Sequence, residues 1–109
     1  MRETRKVLGQ VAPLAITETD LYTVPASTQV VSSSIVVCHR STGNRTFRIS
    51  ISVGGGATAN KDYLFYDVII AANTTYTTTL GITMGAGDIV RVYASTANFS
   101  FSIFGVEIT

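Results

Sequence analysis

Thr46-Phe47-Arg48-Ile49-Ser50-Ile51-Ser52-Val53 alternates polar and apolar residues without a break. A period of two belongs to a strand, whose successive side chains leave opposite faces of a sheet. It places Phe47, Ile49, Ile51 and Val53 on one core-facing side. Residues 98–102 repeat the pattern, which sets Phe99, Phe101 and Ile103 inward. The apolar series then passes to Phe104, Val106 and Ile108. A β-bulge near Phe104-Gly105 is the expected way to absorb the extra residue.

Further strand signals recur over residues 20–24, 29–40, 62–71, 75–82 and 88–95. Turn clusters separate them: Ser41-Thr42-Gly43-Asn44, Gly54-Gly55-Gly56-Ala57, Ala72-Asn73-Thr74 and Gly85-Ala86-Gly87. Asp88 is expected to cap the last of these through its side chain. Seven short strands at this spacing predict an all-β fold, a single antiparallel β-sandwich of jelly-roll type over residues 19–109. The shared core is expected from Phe47, Ile49, Ile51, Val90, Val92, Phe99 and Phe101. No stretch supports a helix.

Composition agrees. The 109 residues are 46 % hydrophobic and 14 % charged, with sixteen Thr and ten Ser. A chain so apolar offsets its ordering entropy by burial, which excludes disorder. A net charge of +1 speaks against a nucleic-acid partner, which calls for a basic face. No run of about 18 apolar residues crosses a membrane, and no secretory signal is expected. Cys38 lies in the apolar run Ile35-Val36-Val37-Cys38 and is read as a small buried hydrophobe.

Chemistry finds little to use. His39 is the single histidine, beside Arg40, and is read as a structural residue at a sheet edge. Neither Ser34 nor Ser41 sits in a nucleophile elbow. Glu18 and Asp20 share a face without a calcium loop around them. Gly54-Gly55-Gly56 lacks the helix and lysine of a phosphate loop and is read as a flexible hairpin loop. Three Asn-x-Ser/Thr sequons are accounted for by turn-then-strand grammar. The expectation is a protein that is not an enzyme, with no cofactor and no metal.

Two features point outward instead. Residues 1–18 combine Arg2, Arg5 and Lys6 with Val7, Leu8, Val11 and Leu14, and Pro13 interrupts any helix. They are expected to form an extended arm that orders only along a neighbouring subunit. In Tyr63-Leu64-Phe65-Tyr66-Asp67-Val68-Ile69-Ile70 and in Ile89-Val90-Arg91-Val92-Tyr93-Ala94, both faces are apolar. A sandwich has one interior, so the second face meets either a loop or the N-terminal segment of this chain, or another subunit. The candidate interface residues are therefore Leu8, Val11, Leu14, Tyr63, Phe65, Ile69 and Tyr93.

The stretches Leu21-Tyr22-Thr23-Val24-Pro25-Ala26, Ser34-Ile35-Val36-Val37-Cys38 and Phe47 through Gly55 form the first half of a known pattern. Asn60-Lys61-Asp62-Tyr63-Leu64, Leu80-Gly81-Ile82-Thr83, Asp88 through Asn98 and Phe104-Gly105-Val106-Glu107 form the second. Together they resemble a group of small tailed-bacteriophage virion proteins, over about residues 19–109. The resemblance implies a structural component located in the virion and assembled in the host bacterial cytoplasm. Its partners would be other virion proteins, the major capsid protein or tail proteins, and a homo-oligomer is expected. A capsid decoration or cement role comes first. The alternatives are a tail, neck or baseplate component, or a carbohydrate-binding host-attachment module with Tyr63, Phe65 or Tyr93 as stacking platforms. The group has no catalytic motif to carry over.

Overall fold

The computed structural model describes residues 2–79 and 81–109. Met1, at the head of the expected arm, and Leu80, expected inside a strand, lie outside the described residues. The strands are β1 (Glu3–Val11), β2 (Thr19–Thr23), β3 (Gln29–His39), β4 (Arg45–Ser52), β5 (Tyr63–Ile70), β6 (Thr75–Thr78), β7 (Ile82–Met84), β8 (Ile89–Ala94) and β9 (Phe99–Ile108). They build two antiparallel sheets. The first runs β1-β9-β3-β6, with β7 also on β3, and the second runs β2-β8-β4-β5. β6 and β7 lie end to end along β3, against Ile35 to Cys38 and Val30 to Ser32. Counting them as one position, the strand orders of the two sheets are those of an eight-stranded jelly roll, with the chain changing sheet at every step except from β4 to β5. The strand expected over residues 75–82 is thus two strands.

Between the sheets lies one core. Val30, Val37, Phe47, Ile49, Val90, Phe99, Phe101 and Ile103 are completely buried, and Ile35 and Val92 nearly so. Ile51 is only half-buried, packed on the rim of this cluster. Val53 falls outside the expectation at 76 % exposure, because β4 ends at Ser52 and the chain turns into a short 3-10 turn over Val53–Gly55. The outer side of β4 is covered at this end, where Ser50 and Ser52 are buried. Arg91 Nη1 donates to Ser52 Oγ at 2.8 Å, to the Gly56 carbonyl at 2.7 Å and to Thr58 Oγ1 at 3.2 Å. These bonds fasten the glycine-rich loop over the sheet. The hairpin loop expected here is thus tied to β8 through Arg91.

β9 keeps its alternation throughout, so the expected bulge at Phe104-Gly105 is absent from it. The extra residues sit in its two neighbours instead. The β1 register slips between Val7 and Gly9, which inserts Leu8, and the β3 register slips between Ser32 and Ser34, which inserts Ser33. Ser32 and Ser33 hydroxyls both donate to the Phe104 carbonyl, at 3.2 and 3.4 Å. Gly105 therefore stays on the inner side, where a Cβ would meet the Val31 carbonyl oxygen, Ser32 Cα and Leu8 Cδ1. Phe104, Val106 and Ile108 turn to the outer face instead of the core.

The expected N-terminal arm is corrected as well. Glu3 to Val11 pairs with β9 of the same chain along its whole length, and Arg2 and Thr109 exchange backbone hydrogen bonds of 2.7 and 2.8 Å beyond it. The apolar residues of this segment are satisfied within the chain: Leu8 is a core residue and Val11 packs against the core. Close approach makes this possible, since Gly9 lets β1 pass so near the Leu21 carbonyl of β2 that any Cβ would collide. Residues 12–18 only carry the chain from one sheet to the other, and the Ile16 N–H bonds the Ala94 carbonyl at 2.9 Å on the way.

Candidate functional site

The seven candidate interface residues do not form one surface. Leu8 is buried and Val11 half-buried, Phe65 turns inward against Phe47 and Tyr76, and Leu14 stands 72 % exposed on the β1–β2 crossing. Tyr63, Ile69 and Tyr93 do share a surface, the outer face of the second sheet. Phe65 is therefore corrected from a stacking platform to a core aromatic. Cys38, read as buried, is half-buried on the outer side of the first sheet.

A double irregularity in β5 shapes the outer face of the second sheet. Phe47 pairs with Val68 and Ile49 with Phe65, so Tyr66 and Asp67 together oppose the single residue Arg48. Asp67 takes φ 51°, a left-handed conformation that a short polar side chain tolerates. The bulge turns both side chains onto Arg48. Arg48 Nε donates to Asp67 Oδ1 at 2.7 Å and Nη2 to Oδ2 at 3.3 Å, a bidentate pair. The guanidinium carbon lies 4.3 Å from the Tyr66 ring centroid and 4.3 Å from that of Tyr93, its neighbour on β8. Asp67, first through its hydrogen bonds and then through its charge, pushes the Arg48 pKa still higher against partial desolvation. Tyr63 meets Tyr66 in a T-shaped pair at 4.9 Å. Tyr66 remains 57 % and Ile69 69 % exposed beside this array.

On the opposite side, the outer face of the first sheet carries an apolar patch. Val7 of β1 pairs with Phe104 of β9, and Val31 of β3 with Val106 of β9 in the next row. Val7 is 48 % and Val31 40 % exposed. Arg5 and Thr83 extend the second row, and Glu3, Ile108 and Gln29 form a third. A phase change at Phe104 turns Phe104 and Val106 inward and leaves no such patch, which is why the expected bulge hides it. Continuing the parity of Phe99, Phe101 and Ile103 without a phase change would have found it.

Other singled-out residues serve the scaffold. His39 is buried within the first sheet and stacks on Phe99 at 4.8 Å. Its Nδ1 accepts the Ser41 N–H at 3.4 Å, which leaves Nε2 to donate to the Gly43 carbonyl at 2.9 Å. Asp88 caps the Gly85 turn as expected, with Oδ2 accepting the Gly85 N–H at 2.9 Å, and its Oδ1 accepts the Gly54 N–H at 2.9 Å. Tyr22 donates to Glu107 Oε2 at 2.6 Å and Lys6 lies 3.1 Å from Oε1. Among the described residues no group of three or more His, Cys, Asp or Glu could hold a metal ion, and no helix is long and apolar enough to cross a membrane. No protein-family model matches the chain, and neither does any curated protein.

Proposed function

We propose that this chain is a non-enzymatic structural protein of a tailed-bacteriophage virion, assembled in the host cytoplasm, and that its role is to decorate and cement the capsid. The observation that carries the reading is the apolar patch of exposed Val7 and Val31 with half-buried Phe104 and Val106 beside them, on a sheet that already has its core on the other side. Contiguous exposed apolar surface of this kind marks a contact with another protein. Together with the resemblance over residues 19–109, it favours a module seated on neighbouring virion proteins, with homo-oligomers formed through the same patch or its rim. A jelly roll suits such a role, although the fold alone carries no function. A tail, neck or baseplate position uses the same chemistry and differs only in the neighbour.

Immunogold labelling of purified particles with antibody against the chain tests the place. Label over the shell supports decoration, label on the tail selects the second position, and unlabelled particles overturn the virion reading. The contact itself is tested by Val31→Asp and Val106→Asp, which place a charge on the outer face without touching the core. Both variants should stay folded by circular dichroism and be lost from particles. Normal incorporation of both would remove this face from the contact.

A further inference from the structure

We propose that the Tyr63, Tyr66, Arg48, Asp67 and Tyr93 cluster on the second sheet is a binding site for a neutral oligosaccharide. This goes beyond the structural role, which rests on the opposite face of the molecule. Charge is settled inside the cluster, because Arg48 and Asp67 form a bidentate pair. On the same sheet Arg91 is paired with Asp20 at 3.0 Å, and in the turn before β5 Lys61 is paired with Asp62 at 3.0 Å, while Arg45 at the start of β4 has the parity of Phe47 and not that of Arg48. An anionic or cationic ligand therefore gains little there. Hydrogen-bonding capacity remains. Among the described residues, Arg48 Nη1 and the hydroxyls of Tyr63, Tyr66 and Tyr93 have no protein partner, and each Asp67 oxygen, with one bond, can accept another.

Donors and acceptors fixed side by side on a guanidinium–carboxylate pair match the vicinal hydroxyls of a sugar. The bodies of the tyrosine rings offer apolar surface to its C–H groups. The groups stand on strands and are locked by stacking and by the bulge, so little order has to be imposed on binding. An extended peptide fits less well. Adding a strand to β5 requires a regular edge, and the pairing of β5 is interrupted twice, between Phe47 and Ile49 and between Ile49 and Ser50.

The test is an NMR titration of the full-length 15N-labelled chain with maltohexaose, cellohexaose and chitohexaose, each to about 10 mM, a range that captures weak single-site binding. At least one should shift the amides around Tyr63–Asp67, Arg48 and Tyr93 and leave those of Val31 and Val106 in place. Tyr66→Ala and Asp67→Asn, the second keeping the shape and the left-handed backbone, should each weaken that binding roughly tenfold. Added salt should change it little, since no net charge is recognised. Absence of shifts with all three sugars, or binding untouched by both variants, overturns the proposal. So does concentration-dependent self-association through the same amides that Tyr66→Ala abolishes, because the face would then belong to a second copy of the chain. None of these outcomes bears on the immunogold result.

Discussion

Ile16 shows how a single residue can stand against local preference. Its φ is 53°, in the left-handed region where a β-branched side chain crowds its own backbone. The Ile16 N–H is held there by the Ala94 carbonyl at 2.9 Å, on the crossing between the sheets. The side chain returns almost nothing, being 71 % exposed. Ile16→Asn keeps the N–H and accepts the backbone angle, so it should stabilise the fold by about 1 kcal/mol. For a domain of this size that is a rise in Tm of about 4 °C. A melting scan showing no rise would mean that the Ile16 side chain packs more than its exposure suggests. The contrast with Asp67 is instructive, since there the same backbone region carries a residue suited to it.

Strands are where the sequence spoke most clearly and where it misled. Alternation along Phe47 and Ile49 located β4 and its buried side, and the Asp88 turn was legible from four residues. Bulges were not. Leu8 and Ser33 are inserted in β1 and β3, yet the hydrophobic pattern suggested a bulge in the strand between them. Register slips are decided by pairing partners distant in sequence, and Ser32-Ser33-Ser34 offers no apolar signal to count. The Arg48 cluster was hidden for the same reason, because it exists only once β5 bulges opposite β4. The arm expectation failed through β9, whose free edge is a nearer partner for residues 3–11 than any other molecule. That assignment gives a paired prediction. Leu8→Ala should cost about 2–4 kcal/mol in urea unfolding, as for a buried leucine, whereas Leu14→Ala should cost less than about 0.5 kcal/mol. Equal and negligible effects would return β1 to the status of a dispensable arm.

For the whole molecule, pH reports how the strands nearest the two termini are tied to the body. Glu107 of β9 accepts from the Tyr22 hydroxyl of β2 and lies beside Lys6 of β1, so one carboxylate joins three strands across both sheets. The Tyr22 hydrogen bond, aided by Lys6, holds its pKa below the ordinary 4.5 against some desolvation. Asp62, at the end of the β4–β5 loop, is likewise held below 3.8, chiefly by the Ala59 N–H and then by Lys61. A depressed folded pKa means that the unfolded chain binds protons first on acidification. Stability from both groups is thus complete above the ordinary carboxylate range and drains away as pH falls through 4.5 and below. Tyr22 works in the opposite sense. Burial first, and then Glu107, raise its pKa well above the ordinary 10, so its share is intact below pH 10 and is lost only as pH climbs through the raised value. The expected profile is a plateau of stability between these limits with a fall on either side. Glu107→Gln should lower the plateau and flatten the acid limb, whereas Tyr22→Phe should flatten the alkaline limb and, by removing the bond that lowers the Glu107 pKa, part of the acid limb too. Urea midpoints of the three proteins at acid, neutral and alkaline pH decide the matter. An acid limb as steep in Glu107→Gln as in the parent chain would show that other carboxylates govern acid unfolding, and that the tie between β1, β2 and β9 rests on packing around Leu8 and Tyr22.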